Sequence, residues 1–182
     1  MRIIAGKYKG IRLTSPKDET VRPTTDRIKE TVFNILVSRY TVENADVLDL
    51  FCGSGALGLE AASRGAKSVV FADASADSIK LTKENIAKTK SDFEVIRGDF
   101  RSTVKKLRGR KFGIVFVDPP YKAGFYDEVI AAISDYELLD DGGVIVAECD
   151  GDADLIKYGE IFDADIRKFG NTKVGFYSVK ER

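Results

Sequence analysis

The chain has 182 residues, 43% of them hydrophobic, and it contains no histidine. Its length suits one domain that buries its own core, and no apolar run approaches the roughly 18 residues of a membrane span. The missing histidine excludes His-based triads and His metal sites, and Cys52 and Cys149 do not form a close ligand pair. We therefore expect a reduced, cytoplasmic protein without a signal peptide, a metal site or a membrane partner, and a monomer by default.

Charge balances overall, with 29 basic against 29 acidic residues, but it is unevenly distributed. Residues 1–14 hold four cations and no acid, and residues 101–111 hold six cations and no acid. A solvated surface explains each basic run about as well as an RNA-binding face does. The sequence does not show whether the two runs share one face of the protein.

The first 45 residues predict a small extension made of a hairpin and a helix. The apolar residues of the hairpin are Ile3, Ile4, Ile11 and Leu13. Thr24 or Thr25 is the predicted N-cap of the helix. Its apolar face holds Ile28, Val32, Ile35 and Leu36. Its opposite face holds Arg27, Lys29 and Glu30.

From residue 46 onward, short apolar segments alternate with helical ones. Strands are predicted at 47–51, 68–72, 93–96, 113–117 and 143–147. Helices are predicted at 56–64, 102–107 and 126–133, with another that begins at Ser75 or Asp77. This alternation is typical of a mostly parallel α/β sheet with helices on both faces. Segments 162–169 and 174–179 predict a closing antiparallel hairpin, which brings the sheet to seven strands.

The segment Gly53-Ser54-Gly55-Ala56-Leu57-Gly58 matches G-x-G-x-x-G between a predicted strand and a predicted helix. Asp73 lies 20 residues after Gly53, where a carboxylate can accept hydrogen bonds from a ribose diol. Dinucleotides and S-adenosylmethionine both contain that ribose, so these features alone do not separate an oxidoreductase from a methyltransferase. A tight turn without a ligand is the structural alternative.

Two further carboxylates favour S-adenosylmethionine. Asp49 lies in the first strand, where it can sit beside a cationic amine, and Asp99 ends the third strand near the expected adenine. Three strand-end carboxylates suit a cofactor with ammonium, diol and adenine groups, and they suit the anionic pyrophosphate of NAD poorly. Each carboxylate taken alone is equally well explained as a turn or helix-cap residue.

Asp118-Pro119-Pro120-Tyr121 follows the fourth predicted strand. Two prolines make a rigid turn and remove two N–H donors. The Asp118 carboxylate and the Pro119 carbonyl can then accept the two hydrogens of an exocyclic amine, which aims its lone pair at a sulfonium methyl group. Tyr121 can stack on the base, which must be flipped out or unpaired. The alternative is an Asp-Pro turn with a surface tyrosine.

Residues 48–55 resemble motif I of class I methyltransferases, and residues 118–121 resemble their amino-methylating motif IV. Residues 2–6, 9–10 and 22–36 resemble the RsmD family of 16S rRNA guanine-N2 methyltransferases. The resemblance covers nearly the whole chain. It implies one Rossmann-like class I methyltransferase domain, with an extension at 1–45 and a catalytic core at 46–182. It also implies S-adenosyl-L-methionine as cofactor and 16S rRNA or the 30S subunit as partner.

The resemblance further implies roles for single positions. Cofactor contacts would come from Asp49, Phe51, Gly53, Gly55, Asp73, Ala74, Asp99, Phe100 and Asp118. The guanine amine would be held by Asp118, Pro119, Pro120 and Tyr121. RNA contacts would come from Arg2, Lys7, Lys9, Arg12, Arg22, Thr24 and Arg27. The family more often has glutamate where this chain has Asp73, and the shorter carboxylate still reaches a ribose.

Other functions stay open at this point. The motifs do not choose guanine N2 over adenine N6 or cytosine N4. DNA amino-methyltransferases share the proline motif, but only 59 residues separate Gly58 from Asp118, which leaves no room for a recognition domain. A cysteine-dependent C5 methyltransferase is disfavoured because neither cysteine lies at the proline motif, and Cys52 in the glycine loop is interpreted as a small packing residue. An NAD-dependent oxidoreductase and a noncatalytic RNA-binding module are the alternatives from other classes.

Overall fold

A computed structural model of the chain describes residues 1–16, 26–119, 125–150 and 162–180. The strands in these ranges are β1 (Asp46–Asp49), β2 (Ser68–Asp73), β3 (Glu94–Arg97), β4 (Phe112–Val117), β5 (Leu139–Asp150), β6 (Phe162–Phe169) and β7 (Thr172–Val179). The helices are α1 (Asp26–Arg39), α2 (Ala56–Ser63), α3 (Ala76–Lys88), α4 (Phe100–Lys106) and α5 (Phe125–Asp135). The predicted cap residues Thr24 and Thr25 of α1 lie outside the described residues.

The strands form one sheet in the order β3-β2-β1-β4-β5-β7-β6. Strands β1 to β5 pair in parallel, whereas β7 is antiparallel to both β5 and β6. The predicted mostly parallel sheet with a closing antiparallel hairpin is therefore confirmed. The strand order reverses between β1 and β4, and a crevice for ligands is expected at the carboxyl ends of the strands at such a point.

Alternating residues of the strands supply two cores on opposite faces of the sheet. The first core packs the N-terminal hairpin and α1 to α3, and it contains Ile3 and Phe33. The second core packs α4 and α5, and it contains Val104 and Ile130. The two basic runs consequently lie on opposite faces of the sheet. No helix within the described ranges is long and apolar enough to cross a membrane.

The N-terminal hairpin lies along α2 with its tip at the amino edge of the sheet. Its two arms are joined by hydrogen bonds from Ile3 N to Ile11 O, at 3.0 Å, and from Gly10 N to Ile3 O, at 2.9 Å. At the tip, Gly6 has φ +82°, and a Cβ added there would lie 1.8 Å from the carbonyl oxygen of Ser63. Only glycine allows this close approach, so the tip is held against the end of α2.

A buried ion pair joins the extension to α2. The Glu60 carboxylate is fully buried and accepts hydrogen bonds from Ile4 N, at 2.8 Å, and Ala5 N, at 3.1 Å. Its oxygen also lies 3.5 Å from Lys29 Nζ, and Arg64 Nε donates to it at 2.8 Å. The sequence places Lys29 on the face of α1 opposite the apolar one, but its side chain is fully buried, and its ammonium group lies beside Glu60 and donates to the backbone carbonyl of Arg2. Burial lowers the pKa of Lys29, and the nearby Glu60 charge opposes that change.

Glu60→Ala should lower the free energy of unfolding by about 3–5 kcal/mol, because it removes the buried carboxylate nearest to the buried Lys29 charge. Urea unfolding measures the change. Glu84→Ala is the matched control, since Glu84 lies on the exposed side of α3 and its loss should change stability by about 0.5 kcal/mol or less. Equal stability of the two variants would contradict the assigned role of Glu60.

Candidate active site

The glycine loop connects β1 to α2 at the carboxyl edge of the sheet. Gly53 and Gly55 have φ values of +54° and +77°, in the left-handed region that favours glycine. Gly58 serves another purpose, because a Cβ added there would lie 2.3 Å from the ring of Phe71 in β2. Two glycines therefore shape the turn and the third allows α2 to pack closely on the sheet. A Cβ added at Gly53 would meet no atom within 4 Å, so that side of the loop faces open space.

Two of the predicted carboxylates hold this loop. Asp73 accepts hydrogen bonds from Gly53 N, at 3.0 Å, and from Ser75 N, at 2.8 Å. Asp49 accepts one from Gly58 N at 3.0 Å and is only 3% exposed. Both carboxylates therefore stabilise the turn, which is the role that the sequence offered as the alternative to ligand binding. A carboxylate offers about four acceptor positions, so each also keeps capacity for a ligand.

The burial of Asp49 changes its acidity. Loss of hydration raises the pKa of Asp49 from 3.8 to about 7, the hydrogen bond from Gly58 opposes this rise, and the neighbouring Asp73 charge adds to it. The Asp49 carboxyl group therefore changes its charge near neutral pH. The interaction of Asp49 with a cationic group therefore depends on pH in the physiological range.

Asp99 lies beyond the end of β3, next to the end of β2. Gly98 N donates to Asp73 O at 3.0 Å, which ties the two strand ends together. The exposed Asp99 side chain is the N-cap of α4 and accepts from Arg101 N, at 2.9 Å, and Ser102 N, at 3.3 Å. Hydrogen bonds from Ser102, the largest cause, together with Arg101 lower the pKa of Asp99. Asp99 is thus an ionised carboxylate at the same edge as Asp73.

Three aromatic rings line this edge between the glycine loop and α5. The ring centroids of Phe51 and Phe100 are 5.9 Å apart, and those of Phe100 and Phe125 are also 5.9 Å apart. Phe100 is only 4% exposed, and the Arg101 guanidinium lies 4.5 Å from its ring centroid. The structure therefore places Phe100 as a buried wall of the crevice, while Phe51 is half-buried and Ala74 is exposed.

Asp118 and Pro119 follow β4, the strand beside β1. Phe116 is paired with Asp49, so Asp118 lies just beyond the pair, at the carboxyl edge that also holds the glycine loop. Asp118 is half-buried and Pro119 is buried. Pro120 and Tyr121 lie outside the described residues. The structure thus brings together at one edge the carboxylates predicted from four different strands, Asp49, Asp73, Asp99 and Asp118.

Sequence reasoning missed Glu148 in β5. Because Val117 is paired with Ala147, Glu148 lies beside Asp118 on the neighbouring strand. It is only 7% exposed, and its carbonyl oxygen accepts a hydrogen bond from Tyr126 Oη at 2.6 Å. The signal was present, since Glu148 is a further carboxylate at the end of a predicted strand.

Sequence reasoning also missed two polar residues of α3 that contact the glycine loop. Thr82 Oγ1 donates to Gly53 O and Asn85 Nδ2 donates to Ser54 O, both at 2.9 Å. Thr82 also lies 3.3 Å from the sulfur of the buried Cys52, which packs in the first core as predicted. Their signal was weak, because polar residues within a helix usually indicate its solvent-exposed face.

The predicted RNA-binding residues are spread along the hairpin and α1. Five of them lie within the described residues and are all exposed: Arg2, Lys7, Lys9, Arg12 and Arg27. Arg22 and Thr24 lie outside those residues. Lys7 and Lys9 belong to the hairpin tip at the amino edge, where Lys7 N donates to Ser63 O at 2.8 Å. The other end of the hairpin reaches the glycine loop, where Ser54 Oγ lies 3.8 Å from Met1 Sδ.

Asp49→Asn should stabilise the fold more at about pH 8 than at about pH 5. Between pH 3.8 and about 7 the folded state keeps a proton on Asp49 that the unfolded state has lost, so stability falls as the pH rises through this range. Asparagine never ionises, and its amide oxygen can still accept from Gly58 N. Thermal unfolding of both proteins at the two pH values measures the difference. An equal change in Tm at both would contradict the raised pKa.

A family model described as "Conserved hypothetical protein 95" matches residues 1–178. A Bacillus subtilis (strain 168) protein named "Putative rRNA methyltransferase YlbH" is 34% identical over 185 residues, covering 99% of this chain and 100% of that protein. The Escherichia coli (strain K12) protein "Ribosomal RNA small subunit methyltransferase D" is 37% identical over 149 residues, covering 81% of this chain and 74% of that protein.

A solved structure from Escherichia coli, named "Putative methyltransferase yhhF", is similar with a TM-score of 0.87 and 32% identity, covering 100% of this chain and 99% of that one. The family model spans nearly the whole chain, and these relatives exceed 30% identity. The resemblance carried by the N-terminal segments and the two motifs is therefore confirmed: the chain belongs to the family described as Conserved hypothetical protein 95, which is the RsmD family.

Proposed function

We propose that this protein transfers a methyl group from S-adenosyl-L-methionine to the N2 amine of a guanine in 16S rRNA, acting as a cytoplasmic monomer. One observation carries the proposal. Asp118 and Pro119 lie at the carboxyl edge of the sheet, on the strand next to the glycine loop, where the strand order reverses. We further propose that residues 46–182 form the catalytic core and that residues 1–45 form an extension within the same domain.

The residues of the loop fit the cofactor. Open space beside Gly53 admits a ligand, and Asp73 and Asp99 lie on adjacent strand ends, where they would meet the ribose hydroxyls and the adenine amino group. Asp49 would lie toward the methionine end. When bound, the cofactor would supply a methyl group on a sulfonium, from which the neutral thioether is a good leaving group. The amine can lose its proton late, as the methyl group is transferred, so a histidine base is not required.

The proline motif would hold the target amine. Its nitrogen is a poor nucleophile because the lone pair is delocalised into the base. The Asp118 carboxylate and the Pro119 carbonyl would accept hydrogen bonds from the two N–H groups of the amine and so orient its lone pair toward the methyl group. Such positioning can supply much of the rate acceleration of an enzyme. Tyr121 would stack on the flipped base, worth about 1–3 kcal/mol.

The choice of guanine is supported by the second carboxylate beside the motif. Asp118 and Glu148 occupy adjacent positions on β4 and β5. On its Watson–Crick edge, guanine presents the N1–H and the N2 amino group side by side as donors. Adenine and cytosine instead place an acceptor nitrogen next to their amino group. Two neighbouring carboxylates, which are acceptors when ionised, therefore suit guanine better than the other two bases.

The RNA substrate is supported by the relatives and by the extension. One relative is named for the small ribosomal subunit RNA, and another is named as an rRNA methyltransferase. The first face of the sheet carries the exposed cations of the hairpin, one of which, Arg2, lies 3.6 Å from the Asp26 carboxylate. On the opposite face, Arg101 is paired with Glu128 and Arg110 with Glu94, so part of that basic run is neutralised by acids. We therefore propose that RNA binds on the hairpin face.

Asp118→Ala should reduce methyl transfer by at least about 100-fold while RNA binding survives, because the target amine is no longer positioned. Labelled methyl transfer to 30S particles or 16S rRNA from cells that lack the gene measures the rate, and nucleoside analysis identifies the product. N6-methyladenosine as the product would contradict the guanine assignment.

Absence of transfer by the wild-type protein to any rRNA would favour a noncatalytic RNA-binding module. Binding of NAD in place of S-adenosylhomocysteine would favour an oxidoreductase.

Lys7→Ala combined with Lys9→Ala should weaken RNA binding and make it less dependent on salt. Each lost phosphate contact reduces the slope of log K against log salt by about 0.7–0.9, so the slope for the double variant should fall by about 1.4–1.8. Filter binding over a salt series measures the slope. The matched control is Lys105→Ala with Lys106→Ala, two exposed lysines of α4 on the opposite face. If the slope falls more in this control than in the hairpin variant, RNA binds the opposite face of the sheet and the proposal is contradicted.

A further inference from the structure

Asn85 of α3 has a fully buried side chain whose hydrogen-bonding capacity is completely used. Its Nδ2 donates to Thr14 O, at 3.0 Å, and to Ser54 O, at 2.9 Å. Its Oδ1 accepts from Thr14 N, at 2.8 Å, and from Lys88 Nζ, at 3.1 Å. An amide side chain has two donor hydrogens and two acceptor positions, so no other residue type of this size reproduces all four bonds.

Two of these bonds fix the backbone of the N-terminal segment. Asn85 pairs with both the N–H and the carbonyl of Thr14, as a neighbouring strand would. Lys88, one turn later in α3, donates to Arg12 O, at 3.2 Å, and to Thr14 Oγ1, at 2.7 Å. The chain is therefore fixed to α3 at the point where the hairpin ends.

Another of the bonds holds the glycine loop. Asn85 binds the Ser54 carbonyl, and the fully buried Thr82, one turn earlier, binds the carbonyl of Gly53. The carbonyl groups of two consecutive loop residues are thus turned toward α3. This orientation sets which side of the loop a ligand meets, because the N–H and carbonyl of a peptide unit point in opposite directions.

We propose that Asn85 is a positioning residue of the cofactor site, and that through it the N-terminal segment determines the geometry of the glycine loop. The inference rests on the proposed function insofar as that loop binds S-adenosylmethionine. Asn85 is behind the loop and acts by holding it in the conformation that the cofactor binds. Preorganisation of this kind lowers the free-energy cost of binding, so its loss raises the Kd of the cofactor.

The first test is Asn85→Asp, which keeps the size of the side chain but replaces the two donor hydrogens with an acceptor. Binding of S-adenosylhomocysteine by calorimetry, at a temperature where circular dichroism shows the variant folded, should weaken by about tenfold or more, as expected for two lost hydrogen bonds. Thr82→Val should act in the same direction with nearly unchanged shape. Lys83→Ala, an exposed change in the same helix, is the control and should leave the Kd unchanged.

The kinetics separate positioning from general damage. Asn85→Asp and Thr82→Val should raise KM for S-adenosylmethionine while kcat at saturating cofactor stays close to that of the wild type. A loss of folded protein would instead lower kcat and leave KM unchanged. Either this second pattern or an unchanged Kd in both variants would overturn the inference.

The link to the N-terminal segment is tested by a double-mutant cycle. Thr14→Pro removes the N–H group that donates to Asn85 Oδ1, and it should weaken cofactor binding in the otherwise wild-type protein. It should add little in the Asn85→Asp background, because there the bond from Asn85 to Ser54 O is already lost. Fully additive effects would overturn the link. If the wild-type protein does not bind S-adenosylhomocysteine at all, the proposed function itself fails. If the wild type binds it and the variants bind it equally well, only this inference fails.

Discussion

The parallel pairing of β1 with both β2 and β4 is the constraint on which the site depends. It places the ends of three strands, which come from distant parts of the chain, at one edge of the sheet. The glycine loop begins at the end of β1, the central strand of the three. Asp73 is the last residue of β2, and Asp118 directly follows β4. A cofactor and a target base bound at this edge would therefore approach each other from neighbouring strands.

Helix α2 connects this edge to the N-terminal extension. At its start, Gly58 allows close packing on Phe71, and near its end Ser63 contacts Gly6 at the tip of the hairpin. Between them, Glu60 is buried with Lys29 of α1. Burial of two charges costs several kcal/mol of hydration, and the amide donors of Ile4 and Ala5 help to offset this cost. The extension is consequently docked by directional polar bonds, which define its position more narrowly than apolar contacts alone.

Several residues at the site stabilise the fold and also serve the proposed chemistry. Asp73 and Asp49 accept hydrogen bonds from the loop that they would help to present to the cofactor. Asp49 does so from a buried position that raises its pKa to about 7, which is unfavourable for stability at neutral pH. Carboxylates whose pKa is shifted by burial in this way cluster at functional sites.

The sequence by itself determined the order of strands and helices, the glycine loop, the strand-end carboxylates and the family. These features depend on local residue spacing and on motifs of consecutive residues. It did not determine that the basic runs at 1–14 and 101–111 lie on opposite faces of the sheet, that Lys29 is buried, or that Glu148 lies beside Asp118. Nor did it reveal that Asn85 joins Thr14 to Ser54. Each of these depends on pairing between segments far apart in sequence, and only the tertiary structure decides which distant donor meets which acceptor.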